Sequence, residues 1–231
     1  MITPFPHFPF SHIRDYRKKP QFSQERLITI VDLATEERNK ISDLVGYVSV
    51  LDALIRLPKG VYWSADDRYF LTLNGYMDGV EAYCDFHQGS NLYLREFIIF
   101  ALSENATKQD RWDARGVVAH ELGHLSPLNH RHKLIARTKS VDSSTSRRAA
   151  HDRKEGAFED KLARKARNLD LEEEADCYSY AFLVPVTELN GTESFNDISA
   201  WYDVSPELAY NAAMLAKDYQ RATFLRDAKQ K

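Results

Sequence analysis

The chain of 231 residues has a length typical of one domain, and its 43% hydrophobic and 28% charged residues, with a net charge of −3, exclude a disordered, fibrous or strongly basic protein. The longest apolar runs, such as Phe97–Leu102, are too short to cross a bilayer, and the first residues lack the pattern of a secretory signal. Because Cys84 and Cys177 cannot build a disulfide framework, we expect a reduced, cytoplasmic protein with no membrane partner.

The N-terminal part of the sequence predicts an irregular arm followed by helices. Residues 1–22 contain four prolines, which remove backbone donors and prevent a helix from starting, so we expect an arm there and a single domain over residues 23–231. Ser23 can cap the first helix. The apolar face of that helix consists of Leu27, Ile30, Val31 and Ala34. A second apolar-periodic stretch, residues 41–55, predicts another helix that ends at Pro58 and Gly60.

The middle of the sequence predicts a small, mainly antiparallel sheet. Aromatic and β-branched residues are concentrated in four segments that turn-forming residues separate. These segments are residues 61–63, 69–73, 80–86 and 92–102. Asn74-Gly75, which lies between apolar residues, is a typical hairpin turn.

Three further helices are predicted in the second half of the chain. Their expected ranges are 108–125, 169–183 and 205–228. The second of them stops before Pro185, and Ser205-Pro206-Glu207 begins the third with a cap, a proline and an acid near the positive end of the helix dipole. The order of helices, strands and helices favours an α+β fold over a doubly wound parallel one.

Residues 131–167 differ from the rest of the chain in charge. They contain 12 Lys/Arg and 5 Asp/Glu, a net charge of +7, which leaves about −10 for the remaining residues. We interpret them as a basic insertion, a loop followed by an exposed helix. Its positive charges are either solvated, in contact with an acidic partner or a substrate, or in contact with nucleic acid. Only one aromatic residue, Phe158, is available there for stacking on bases.

The strongest motif is His120-Glu121-Leu122-Gly123-His124, an H-E-x-x-H sequence inside the helix predicted over residues 108–125. Histidines four positions apart share one helix face, so both imidazoles can bind a single metal ion. Glu121 is placed to hold a metal-bound water and to accept its proton. Random order of this composition gives roughly 0.02 such motifs per chain, so the motif predicts a zinc site.

A catalytic zinc site usually has three protein ligands, and the sequence offers two candidates for the third. His130 follows at the metzincin spacing, H-E-x-x-H-x-x-G-x-x-H. However, Pro127 occupies the glycine position of that motif, and proline cannot adopt the left-handed conformations that glycine allows.

The second candidate is Glu172, which shares a helix face with Asp176. Thermolysin-like zincins take a glutamate ligand from a downstream helix. Asp176 is the kind of residue that orients a zinc-binding histidine through its second ring nitrogen. Ala175 is small enough to let the two helices pack closely. We interpret Glu173 and Glu174 as acids that the dipole favours in a first helical turn.

Two blocks of the sequence resemble the ImmA/IrrE metallopeptidases. The first is Val118–His124, and the second is Glu172-x-x-Ala175-Asp176 followed by Ala181-Phe182-Leu183-Val184-Pro185. The helix start near Ser205 is similar too, so the resemblance covers about residues 90–215. The chain departs from the family in the 48 positions that separate His124 from Glu172 and in Cys177-Tyr178-Ser179-Tyr180, which replaces an aromatic-alanine pair.

The resemblance implies a zincin-like fold with a thermolysin-like (gluzincin) active site. By this resemblance, His120, His124 and Glu172 bind Zn²⁺, Glu121 is the catalytic base and Asp176 orients His120. It also implies a cytoplasmic endopeptidase that cleaves a helix-turn-helix transcriptional repressor in a stress or mobile-element response. The alternatives are a metzincin-like protease with His130 as third ligand and a non-proteolytic regulatory binding protein of the same fold.

Three further expectations concern the surroundings of the site. We expect Cys84 and Cys177 to be inert core residues. The segment 92–102 is either an edge strand that accepts an extended peptide or an ordinary core strand. A donor that stabilises the transition-state oxyanion could come from one of four residues. These residues are Tyr178, Tyr180, His130 and His132.

Overall fold

The computed structural model describes residues 23–42, 46–72, 75–76, 80–86, 89–103, 105–125 and 171–229. Within these ranges the helices are α1 (Gln24–Asn39), α2 (Val50–Ile55), α3 (Glu96–Ala101), α4 (Lys108–Leu125), α5 (171–183), α6 (Phe195–Tyr202) and α7 (Pro206–Lys229). The strands are β1 (Val61–Ala65), β2 (Leu71–Thr72), β3 (Gly75–Tyr76), β4 (Ala82–Asp85) and β5 (Ser90–Leu94). The predicted arm at 1–22, the basic insertion at 131–167, His130 and His132 lie outside the described residues.

The main sheet has three strands in the order β1-β5-β4. The central strand β5 pairs with β1 in parallel and with β4 in antiparallel orientation, and β2 and β3 form a separate antiparallel hairpin. The sheet is therefore mixed, and the expectation of a mainly antiparallel sheet missed the β1–β5 pair. The α+β class is confirmed.

Two predicted segments change conformation partway along their length. Residues 92–102 were expected to form one strand, but β5 ends at Leu94 and the helix α3 begins at Glu96. Residues 41–55 were expected to form one helix, but only Val50–Ile55 is helical. Gly46 adopts a φ of +84° between the bridged residues Ser42 and Val48, which a continuous helix does not permit.

The region around the predicted hairpin is also more irregular than expected. A short 3-10 helix, Asp67–Phe70, takes the first two residues of the segment predicted as the second strand, and Leu71–Thr72 of that segment form β2. The carboxylate of Asp66 accepts a hydrogen bond from the Arg68 amide at 2.8 Å and caps this helix. The hairpin itself is present, but Gly75 pairs with Thr72 and so belongs to a strand.

The helix starts predicted from sequence are confirmed. The Ser23 side chain accepts a hydrogen bond from the Arg26 amide and begins α1, and the Ser205 side chain accepts one from the Leu208 amide and begins α7. The four apolar residues predicted for the inner face of α1 are buried. Cys177 is buried in the core as expected. None of the described helices combines the length and apolar character needed to cross a membrane.

The N-terminal half of α4 is tied to the C-terminal helices through Asp203. Asp203 ends α6 in a left-handed conformation with a φ of +48°. Its carboxylate accepts hydrogen bonds from Trp112 Nε1 at 2.8 Å and Arg111 Nε at 3.0 Å. The buried guanidinium of Arg115 lies 3.3 Å from the same carboxylate and also donates to the Tyr202 carbonyl. These contacts fix the helix that carries the H-E-x-x-H motif.

Candidate metal centre

Three of the predicted site residues converge between α4 and α5. His120 Nε2 lies 3.1 Å from His124 Nε2 and 3.2 Å from Glu172 Oε2, and His124 Nε2 lies 3.7 Å from the same carboxylate oxygen. Ligands of a tetrahedral zinc with bonds near 2.05 Å are separated by about 3.3–3.4 Å. The three ligand atoms therefore have the spacing of a small metal-binding group, and they form a set that could hold a metal ion.

Asp176 lies beside this group. Its Oδ1 is 2.7 Å from His120 Nδ1, on the far side of the ring from the three converging atoms. A proton on Nδ1 that is donated to Asp176 leaves the lone pair of Nε2 directed at the centre. The i, i+4 spacing of Glu172 and Asp176 on α5 places both carboxylates beside the one histidine.

The charges of the centre favour a cation. Burial by itself lowers the pKa of His120, but Asp176 and Glu172 outweigh it and raise that pKa well above its ordinary value. Burial raises the pKa of Glu172, yet its hydrogen bonds to His120 and His124 outweigh burial and hold it well below its ordinary value. The charge of Glu121 also acts on His120. Three carboxylates thus surround two imidazoles, and a divalent cation would balance their charge.

A close helix contact brings the ligands together. A Cβ built on Gly123 of α4 would lie 3.2 Å from the Ala175 Cα and 3.1 Å from a ring carbon of Tyr178, both on α5. Contacts this short are tighter than most, so a methyl group here would displace its neighbours on α5 by a few tenths of an ångström. Gly123, inside the motif, and Ala175, between Glu172 and Asp176, therefore allow the backbones of the two helices to approach, as predicted for Ala175.

We expect Gly123→Ala to push α5 away from α4. The unfolding free energy should fall by about 1–3 kcal/mol, as for other overpacked interiors, and metal affinity should fall because Glu172 moves from the histidines. Chemical denaturation and metal titration measure the two effects. Gly116→Ala on the same helix is the matched control, since its Cβ would meet only Leu208 at 3.8 Å. The control should be neutral or gain about 1 kcal/mol. Equal losses in both variants would contradict this packing account.

Glu174 has a different role from the one predicted. It was interpreted only as an acid that the dipole favours in a first helical turn, but it is buried and both of its oxygens accept hydrogen bonds from Arg26 on α1. The Arg26 Nε–Oε1 distance is 2.9 Å. This bidentate pair attaches α5 to α1 on the side of the helix away from Glu172. Sequence spacing alone could not identify it, because 148 positions separate the partners.

Strand β4 borders the motif helix. The thiol of Cys84 donates a weak hydrogen bond to the Glu121 carbonyl at 3.4 Å, and burial and the nearby charge of Glu121 raise the pKa of Cys84 well above its ordinary value. Cys84 is a protonated packing residue at pH 7, as expected, but it lies next to the motif.

Of the two alternatives for the segment 92–102, the strand part of that segment is an ordinary core strand and not an edge strand. β5 lies inside the sheet with partners on both sides, whereas β4, within the described residues, pairs only with β5. The edge next to α4 therefore belongs to β4. Two of the four candidate oxyanion donors, Tyr178 and Tyr180, are buried in the core, where Tyr178 stacks on Phe182 with ring centroids 5.6 Å apart.

Glu81, immediately before β4, is an acid that sequence analysis did not single out. It is only 8% exposed, and its Oε2 has no hydrogen-bond partner among the described residues. Burial, reinforced by the charge of Asp113 on α4 and opposed by Arg95, raises its pKa from 4.5 to about 7. Between these two pH values the folded protein binds more protons than the unfolded chain, so stability falls as pH rises through the interval.

Glu81→Gln should remove the loss of stability that comes from burying an ionised carboxylate at this position. We expect the variant to be about 2–3 kcal/mol more stable than the native protein at pH 8. At pH 4 the two proteins should be equally stable, because Glu81 is then mostly protonated in both the folded and the unfolded protein. Urea unfolding from pH 4 to pH 8 measures the difference. Glu36→Gln, at an exposed position on α1, is the control and should follow the native profile. A gain of the same size at both pH values would contradict the burial of a charged Glu81.

Comparison of the chain with models of known protein families, with curated proteins and with solved structures found no match.

Proposed function

We propose that the chain is a zinc-dependent endopeptidase of the ImmA/IrrE type with a thermolysin-like centre. The observation that carries the proposal is the convergence of His120, His124 and Glu172 at 3.1–3.7 Å, with Glu121 next to the first histidine in sequence. Two imidazoles and one carboxylate are a typical set of protein ligands for catalytic zinc. A purely structural zinc site has no need of a glutamate at the position of Glu121.

Different residues of the chain have different roles in peptide hydrolysis. Bound zinc polarises a carbonyl and lowers the pKa of water to about 7. Glu121 accepts the proton of the attacking water and passes it to the leaving amine, as a general base and then a general acid. Asp176 holds His120 in the tautomer that directs Nε2 at the centre. Gly123 and Ala175 keep α4 and α5 close enough for Glu172 to join both histidines.

The edge of β4 is where we place the peptide substrate. An extended peptide can add to this edge by backbone hydrogen bonds, since β4 has a strand neighbour only on its β5 side within the described residues. The contact from Cys84 to the Glu121 carbonyl shows how near this strand lies to the motif. A peptide bound there would pass beside the metal centre.

The biological role follows from the resemblance of the motif blocks rather than from the geometry. We propose regulated cleavage of a helix-turn-helix transcriptional repressor in the cytoplasm, in response to stress or to activation of mobile elements. Residues 131–167, with their net charge of +7, would contribute to recognition of the repressor or of nucleic acid.

The test is to incubate the full chain with zinc and with the repressor encoded next to its gene, with and without single-stranded DNA. Mass spectrometry then maps any cut. We expect cleavage at one site of the repressor and none in unrelated unfolded proteins. Equal cleavage of unrelated proteins would contradict a specific regulatory role, and no cleavage of any protein would contradict the peptidase.

A further inference from the structure

The face of the main sheet that points away from α4 carries a cluster of tyrosines. Along β5, Ser90, Leu92 and Leu94 are buried, so the alternating Tyr93 points to the opposite face. The strand register places Tyr83 of β4 and Ser64 of β1 beside Tyr93. Tyr62 lies two positions before Ser64, and Tyr69 covers Tyr93 from the 3-10 helix. We call Tyr62, Tyr69, Tyr83 and Tyr93 the tyrosine face.

Three rings of the tyrosine face, those of Tyr69, Tyr83 and Tyr93, are held in place by one another. The ring centroids of Tyr69 and Tyr93 are 4.4 Å apart, and those of Tyr83 and Tyr93 are 5.0 Å apart. The Tyr83 hydroxyl donates to the Tyr69 carbonyl at 3.0 Å. Of these three rings, that of Tyr69 remains 46% exposed, and Tyr62 on the same face is 67% exposed. Fixed aromatic rings that remain exposed are typical of binding surfaces, because such rings lose little side-chain entropy when a partner packs on them.

The charge near the tyrosine face indicates which class of partner it binds. Asp85 lies on the same face, two positions after Tyr83, and its negative charge adds to burial in raising the pKa of both Tyr83 and Tyr93. The adjacent cation Arg68 is paired with Asp66. Aromatic faces next to a carboxylate attract arginine and lysine and repel phosphate. A carboxylate beside exposed aromatic rings therefore suits a cationic peptide better than the phosphates of a nucleic acid.

We propose that the tyrosine face selects cationic substrates at the metal centre, an inference that rests on the proposed peptidase function. Neighbouring residues of β4 point to opposite faces, with Cys84 toward α4 and Tyr83 away from it. A peptide paired with the β4 edge follows the same alternation. Its residues that point away from α4 lie beside Tyr83 and Asp85, where arginine or lysine is favoured.

The experiment measures binding rather than cleavage, with the full-length Glu121→Gln variant and fluorescein-labelled peptides. The probes are twelve-residue peptides of alternating arginine and threonine or of alternating glutamine and threonine, compared by fluorescence anisotropy at 0.15 M salt. We expect the arginine peptide to bind about 10-fold more tightly than the glutamine peptide. Equal binding of the two peptides would overturn the proposal.

Variants locate the selective surface. Tyr69→Leu keeps apolar bulk without the ring, and Asp85→Asn removes the charge; each should reduce the preference for arginine to about 3-fold or less. Phe224→Leu and Asp227→Asn, at exposed positions on α7, are the matched controls and should keep the full preference for the arginine peptide. Equal loss in the controls, or none in Tyr69→Leu and Asp85→Asn, would contradict a role of this face. If no protein is cleaved but this pattern holds, the peptidase proposal fails and the selectivity of the tyrosine face for cationic peptides remains.

Discussion

Replacing Glu121 by glutamine should reduce peptide cleavage by about 10²–10⁴-fold while leaving the fold and bound zinc intact. Glutamine has nearly the same shape as glutamate but cannot accept a proton from water. The ligand atoms of His120, His124 and Glu172 do not involve this side chain, so the metal should bind as in the native chain.

The measurement is the single-turnover cleavage rate of the repressor, together with zinc content and thermal unfolding of each protein. Glu173→Gln, which changes an acid next to a proposed ligand, is the matched control and should retain activity. If Glu121→Gln cleaved at the native rate, Glu121 would not be the base. If it lost cleavage but kept full biological activity, the non-proteolytic regulatory protein would be the better description.

Replacing Glu172 by alanine should lower zinc affinity by more than 100-fold. Loss of a residue that only orients a ligand typically costs 10–100-fold, and removal of a ligand costs more. The alanine would also remove a carboxylate that lies 3.2 and 3.7 Å from the two histidine nitrogens.

Competition of each variant with a chromophoric chelator measures this affinity. His130→Ala tests the metzincin alternative in the same assay and should bind zinc as tightly as the native chain. Unchanged affinity in Glu172→Ala with a loss in His130→Ala would assign the third ligand to His130.

Much of the centre could be predicted from sequence because its geometry is local to helices. The spacing of His120 and His124 places them on one face of α4, and the spacing of Glu172 and Asp176 does the same on α5. The bounds of α4 were also predicted correctly. The meeting of the two pairs depends on tertiary packing; the small Ala175 was the sequence signal for it, and the structure adds Gly123.

Other features could not be predicted because they depend on contacts between distant residues. The apolar residues after Leu94 suit a buried strand or a buried helix equally, so the start of α3 was missed. Only the pairing of β5 on both sides shows that β4 carries the edge next to α4. Glu174 looks like Glu173 in sequence, and the distant Arg26 distinguishes them.

The most direct test of the zinc centre is X-ray absorption spectroscopy of the full-length protein loaded with one equivalent of zinc. The account predicts two imidazole nitrogens at about 2.0–2.1 Å and oxygen ligands at about 2.0–2.2 Å, with no sulfur. Sulfur at about 2.3 Å would place the metal on Cys84 or Cys177, and a spectrum without imidazole would place it away from His120 and His124. Either result would contradict the proposed centre.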